Sequence, residues 1–376
     1  MVGSQLLMDT YYPKFITEAD AAALTKVKIP DSDAKRIFLS HGLKILKGDY
    51  VDQADLDLVF DIQYYNPFNF RKGFGGYVYY APIKSDAFLA LVPNLNSLYL
   101  DDQNFTELDF SANTNLVYLE IANCHFLTSL DISMLNLGSF GLAKQKSERA
   151  RRSKSGYPIE LYITNNTQLA SVNIGNQPSL AAVDISGNYY LTSLDVTGLA
   201  YAYDLYLDDN SLTSISMNSN NYYYTLDLSR NKFASLSFSK LTNLYYLYIQ
   251  ENSQMTSVTL DSLPNLSYMY ASDNTNLSTV DFSSFANTNL YYLDLNYANL
   301  TSIDLSNFPN LSYLYLDEND IQPSIDLSLL GPFYAVSLNN NPSLATVYYN
   351  SAYQNSGNIS FGSSVTLIDL NVIGKQ

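Results

Sequence analysis

Acidic pairs recur along this sequence: Asp101–Asp102, Asp208–Asp209 and Asp317–Glu318. Paired carboxylates suit two chemistries. They ligate a hard cation such as calcium through oxygen, or, about 5 to 10 Å apart in a cleft, they work on a glycosidic bond. Spacing alone marks neither here, because the chain holds 36 acidic residues against 20 basic ones, a net charge of −16. Other reactive groups are few. His41 and His125 have no recurring nucleophile near them, and no Gly-rich phosphate loop or metal-ligand cluster is present in the sequence. A single cysteine, Cys124, excludes an internal disulfide framework and a multi-cysteine zinc site. The expectation is a chain that is not an enzyme and takes no cofactor. Its acidity opposes nucleic acid and anionic lipid as partners. Two readings of the acid pairs stay open, a weak calcium site and a charged, solvated rim.

The most abundant chemistry is phenolic: 34 Tyr and no Trp. The tyrosines fall in a pattern. "PNLSYLYLDEN" (309–319) has near copies at "TNLYYLYIQEN" (242–252) and "PNLSYMYASDN" (264–274). Aligned, these give L-x-x-L-x-L-x-x-N, with apolar residues at positions 1, 4 and 6. Position 4 is held by Leu98, Leu119, Phe140, Leu161, Val183, Leu205, Leu226, Leu247, Met269, Leu293, Leu314 and Val336, spaced 21 to 24 residues apart. Position 9 is Asn in eight units: Asn166, Asn188, Asn210, Asn231, Asn252, Asn274, Asn319 and Asn341. A buried amide there would satisfy both the N–H and the C=O groups that a stacked turn points inward. Cys124 takes that place in the second unit and reads as a buried structural thiol. Each unit continues into a second alternation such as "LTSLDI", with Asp131, Asp195 and Asp304 facing water.

This is the leucine-rich repeat pattern, over roughly 91–350. The fold expected is an α/β-type repeat solenoid dominated by β. It is a curved leucine-rich repeat of about twelve units of 21–24 residues, with a parallel concave sheet and a small helical N-terminal cap. Three regions follow: a cap over 1–90, the solenoid over 91–350, and cap strands "NISFG" and "VTLIDL" within 351–376. The variant "NLxYLYLxxN…LTSLDLSN" resembles the repeats of exported surface proteins of Bacteroidetes-type bacteria. That resemblance implies a cell-surface or extracellular protein linked to adhesion, and a lipid anchor carried by a leader absent from this chain. From the residues alone, a cytosolic protein and an exported one stripped of its leader both stay open. No stretch is long and apolar enough to span a membrane.

Positions 1, 4 and 6 point inward, so 2, 3 and 5 line the expected concave face. Sixteen of those 36 slots are Tyr, six are acidic, including Asp204, Asp227 and Asp294, and none is Lys or Arg. The candidate ligand-binding residues are Tyr206, Tyr245, Tyr246, Tyr248, Tyr268, Tyr270, Tyr291, Tyr292, Asp294, Tyr313 and Tyr315. Tyr gives large, stiff contact area with a polar tip. A packing ladder that merely suits a sheet is the competing reading. The expected partner is a protein, with a glycan as the alternative because ring faces stack on sugars.

Two segments break the pattern. "FITEADAAALTKV" (15–27) resembles the segment that precedes repeats in the same bacterial proteins and looks like a relic of an EF-hand. Asp9, Ile16 and Asp20 match its first, eighth and twelfth loop positions, while Tyr11, Pro13 and Lys14 replace two ligands and the turn glycine. No metal is expected there. Thr17 caps a short helix in this reading, and a second helix is expected near "SDAKRIFLSHG", ending at Gly42. The basic stretch 144–154 replaces the second half of one unit, as either a docking or processing site or a solvated loop.

Overall fold

A computed structural model describes residues 26–65, 82–138, 161–218, 222–285 and 289–373. The EF-hand-like segment, the Thr17 cap and the basic stretch 144–154 lie outside them. The chain forms two compact units that divide between residues 177 and 178.

The first unit begins with an antiparallel pair, Lys26–Lys28 with Tyr50–Asp52. Between them the helix Ser32–Ser40 starts on Asp31, whose carboxylate accepts from the Ala34 N–H at 2.8 Å. It buries Ala34, Ile37 and Phe38, the three- and four-residue spacing of one helical face. Gly42, at φ +77°, then turns the chain out, so the helix ends where the sequence places it. Asp33 accepts from the Lys84 and Ser85 N–H groups at 2.7 and 3.1 Å, fastening the helix to the chain entering the ladder.

That ladder is parallel and in register. Asp61–Tyr65, Ser97–Asp101, Tyr118–Ala122 and Leu161–Thr164 pair in order, with Ile62, Leu98, Leu119 and Leu161 opposite one another. Two differences from the sequence reading stand out. Strand Asp61–Tyr65 joins the ladder from within the segment assigned to the cap. And Leu119 pairs directly with Leu161, so no rung stands at Phe140, which lies outside the described residues. The 21-residue period there is kept by count alone.

The second unit continues the same scheme through Ala182–Asp184, Asp204–Tyr206, Thr225–Asp227, Tyr246–Tyr248, Tyr268–Tyr270, Tyr292–Asp294, Tyr313–Tyr315, Ala335–Leu338 and Ile359–Phe361. Ile359 stands opposite Val336, so "NISFG" is one more rung of the same sheet. "VTLIDL" likewise supplies Thr366–Asp369, which extends the second row of short strands. Leu205, Leu226, Leu247, Met269, Leu293 and Leu314 are fully buried. Each such side chain contributes about 1.5–3 kcal/mol relative to leaving it in water.

The turns are held from inside. Asn210 accepts from the Asn188 N–H at 2.8 Å and donates to the Ile185 and Leu207 carbonyls at 2.7 and 2.8 Å. Asn274 serves the Asn252 N–H and the Ile249 and Ala271 carbonyls in the same way. One amide thus satisfies an N–H and carbonyls from two rungs, where an unpaired buried group would cost about 1–3 kcal/mol. Cys124 takes this place fully buried, and burial pushes its thiol up to about 12. Just before it in each turn stands a left-handed residue: Asp102, Asn123, Asn165, Asp209, Arg230, Glu251, Asp273, Tyr297, Glu318 and Asn340. Only Gly187 among these corners is glycine. The neighbouring rung holds the corner instead, as when the Glu251 N–H donates to the Ser272 carbonyl at 3.0 Å. The pattern of inward leucines, in-register parallel strands and buried asparagines makes each unit a leucine-rich repeat coil.

Candidate tyrosine-rich recognition face

Pairing in register turns each position of the repeat into a column of side chains. In the second unit, position 2 runs Tyr203, Tyr224, Tyr245, Ser267, Tyr291, Ser312, Tyr334, and position 3 runs Asp204, Thr225, Tyr246, Tyr268, Tyr292, Tyr313, Ala335. Position 5 runs Tyr206, Asp227, Tyr248, Tyr270, Asp294, Tyr315, Ser337. Alternation puts positions 3 and 5 on the side of the sheet opposite the leucines, and position 2, just before each strand, joins them through ring contact, as Tyr245 meets Tyr246 at 4.9 Å.

The rings touch from rung to rung. Tyr203 and Tyr224 stack at 5.1 Å and 13°, and Tyr224 and Tyr245 at 5.0 Å and 7°. Tyr246 and Tyr268 stack at 5.0 Å and Tyr248 and Tyr270 at 4.7 Å and 5°. Tyr270 meets Tyr292 at 4.8 Å, Tyr292 meets Tyr313 and Tyr315, and Tyr313 meets Tyr291 and Tyr334. Ten of the eleven candidate residues fall within this half-buried network or at its border: the nine later tyrosines and Asp294. Tyr206 is the exception in depth, only 9% exposed. Asp204 is fully buried, so this acid, expected on the surface of the face, offers nothing to a ligand.

Burial raises the Tyr248 phenol well above its ordinary range, with Tyr270 and Asp227 adding to the shift. Burial likewise raises Tyr292, helped by Asp294 and Tyr270. These hydroxyls stay protonated and act as hydrogen-bond donors at neutral pH. Asp294 is raised by burial, which outweighs the lowering by the Asn296 N–H.

The first unit's tyrosines are set deeper. Tyr99 and Tyr118 stack at 4.5 Å and are 6% and 4% exposed, and Tyr162 is also buried.

Two of the acid pairs are engaged within the chain. Arg230 Nη2 donates to Asp208 Oδ2 at 2.7 Å and Asp209 Oδ2 at 2.8 Å, and Nε donates to Asp209 Oδ1 at 2.7 Å. Asp317 accepts from the Ser337 hydroxyl and the Asn339 N–H at 2.7 and 2.6 Å. Burial, with Asp227 and Asp184 nearby, pushes Asp208 up to about 7 in spite of the guanidinium. Arg230 is not among the residues that the sequence singles out by type. The repeat itself held the signal, since one period places it in the same column as Asp209. Among the described residues no group of three or more His, Cys, Asp and Glu is placed to hold a metal, and no helix is long and apolar enough to cross a membrane. His41 Nδ1 lies 2.8 Å from the Ile37 carbonyl at the helix end, and His125 Nδ1 lies 3.2 Å from Thr167 Oγ1 in a turn. The two histidines therefore serve separate local contacts.

No protein-family model matches the chain, and no curated protein matches it. Solved structures do. The functional domain of InlJ from Listeria monocytogenes is 22% identical, over 85% of this chain and 74% of that one, with a TM-score of 0.32. An internalin, InlF, from the same species is 18% identical over 91% and 96%, with a TM-score of 0.37. A leucine-rich repeat protein of Leptospira interrogans is 15% identical over 85% of both chains, with a TM-score of 0.36. These superpositions are loose, and the leucine-rich repeat fold is read from the ladder's own register and hydrogen bonds.

Proposed function

We propose that this chain is a non-enzymatic binding module that recognises a protein ligand through the Tyr/Asp face of its second unit, in bacterial surface adhesion or host interaction. One observation carries the reading: a continuous network of half-exposed tyrosine rings from Tyr203 to Tyr334, without a basic side chain in any of its three columns. Stiff aromatic groups with polar tips bind large surfaces at low entropic cost. The sheet's main-chain groups are used in the ladder, so affinity must come from side chains. A net charge of −16 favours a partner with a basic patch. Where rings stack at 4.7 to 5.1 Å, from Tyr203 to Tyr245 and at Tyr248–Tyr270, neighbouring rings cover one another's faces, which disfavours sugar stacking between them. The surface setting follows from the resemblance to exported bacterial repeats.

The test is an array of purified extracellular-matrix and cell-surface proteins probed with the wild type and with Tyr248→Ala/Tyr270→Ala. A partner held by the wild type and weakened more than about tenfold by the double variant is the expected outcome. Partners held equally by both proteins would remove the face from the function.

A further inference from the structure

The position-2 column is interrupted at Ser267 and again at Ser312, and the first interruption borders a groove. Position 2 stacks three rings, Tyr203, Tyr224 and Tyr245, and the next rung then supplies Ser267. A hydroxymethyl group cannot cover a ring as the preceding tyrosines do, and a groove of about 400 Å³ runs past the three stacked rings to Ser267. Tyr268, tilted 45° to Tyr245 at 5.6 Å, stands beside it. The groove is lined by the three stacked tyrosines, Ser267, and the asparagines Asn243, Asn265 and Asn289. The volume is that of a small-ligand site.

The asparagines form a second ladder, each just before position 1 of its rung. Asn265 Nδ2 donates to the Thr242 carbonyl at 2.7 Å, and Asn289 Nδ2 to the Pro264 carbonyl at 2.8 Å. These bonds fix the amides at the groove's edge. An amide engaged through one N–H, as at Asn265, keeps a second N–H and a carbonyl oxygen for a ligand. No charged side chain lines the groove, on a chain whose net charge is −16. The main chain is closed to strand addition: the Ser267 N–H donates to the Tyr245 carbonyl and the Tyr291 N–H to the Ser267 carbonyl. An extended peptide thus finds no unpaired backbone to join.

A ligand matching this lining is uncharged, has one flat face of C–H groups, and carries a rim of hydroxyls that both donate and accept. We infer that the groove at Ser267 is a subsite for a neutral pyranose oligosaccharide, with one sugar's C–H face on Tyr245 and its hydroxyls on the asparagine amides. Ring faces attract partly positive C–H groups, and the carboxamides match hydroxyls in both directions. This goes beyond the protein-binding reading and does not depend on it.

The test titrates cellohexaose, mannohexaose, chitohexaose and, as an acidic control, oligogalacturonate into the full chain by calorimetry. A neutral hexamer is expected to bind and the acidic one not. Ser267→Tyr, which gives this rung the residue of the three before it, is expected to weaken binding at least about tenfold. Tyr245→Ala is expected to weaken it likewise, so the result does not hang on one variant's folding. Tyr248→Ala/Tyr270→Ala should keep the saccharide, which separates a failure here from a failure of the protein-binding face. The inference is overturned if no neutral hexamer binds, if the acidic oligomer binds as well, or if Tyr245→Ala binds as the wild type does.

Discussion

The asparagines inside the turns and the tyrosines on the sheet are both ladders with one side chain per rung, yet they are built oppositely. Asn210 and Asn274 are buried, and each ties groups from two rungs at 2.7 to 3.1 Å. Tyr246, Tyr248, Tyr268 and Tyr270 pack ring on ring and stay half exposed. One ladder has no interaction left to offer. The other keeps ring edges and hydroxyls in water. Repetition alone therefore says nothing about function; what each column leaves unsatisfied does.

The largest effect should come from the inner ladder. Asn210→Ala strands the Asn188 N–H and weakens two carbonyls in a buried turn, a loss on the order of 3–5 kcal/mol. Urea unfolding of the second unit measures it. A loss under about 1 kcal/mol would mean water replaces the amide and the contrast between the ladders fails.

The acid cluster sharpens the comparison through pH. Asp208, at about 7, lies above an ordinary aspartate, so between about pH 4 and pH 7 the folded state binds the extra proton. Stability from this group is therefore greatest at the acid end of that window and declines as pH rises through it. Asp208→Asn should be better tolerated at pH 8 than at pH 5 relative to the wild type, as read from melting temperatures. Equal tolerance at the two pH values would show that Arg230 keeps the carboxylate charged throughout.

On the sheet, Tyr248→Ala/Tyr270→Ala should reduce stability by about 1 kcal/mol per ring, well short of the asparagine effect. Equal losses at the two ladders would favour a packing role for the tyrosines. The smallest effect is expected at Cys124. With its thiol buried and pushed up to about 12, the native protein should not react with a small aromatic disulfide reagent, and the urea-unfolded protein should react fully. Fast native reaction would mean the turn opens.

Much of this was legible in the sequence because the period fixes both which residues face inward and which share a column. The leucines, the asparagine turns and the clustering of tyrosines on one side all follow from spacing. Depth did not. Tyr99, Tyr118 and Tyr206 have the same positions as exposed tyrosines but are buried, since depth depends on neighbours one rung away. Counting also predicts a rung at Phe140, which lies outside the described residues, whereas Leu119 and Leu161 pair directly. The strand at Asp61–Tyr65 escaped notice, and Ile359–Phe361 was expected as a cap strand and not as a further rung, because both sequences keep the pairing but lose the leucine-asparagine signature. The notch at Ser267 was visible only as one small letter among tyrosines. Its meaning needed the stacking distance.

Register has a consequence for how such a chain can change. In the second unit every strand of the tyrosine-bearing sheet, from the one holding Val183 to the one holding Ile359, meets its neighbour residue for residue. Duplicating or deleting a stretch of one period by recombination would keep each column continuous and alter only its length, by ~4.8 Å for each strand gained or lost. A single-residue slip would turn leucines to water and tyrosines to the core. Heritable variation in this molecule thus comes in two sizes, whole rungs that resize the face and point changes such as tyrosine to serine that carve it.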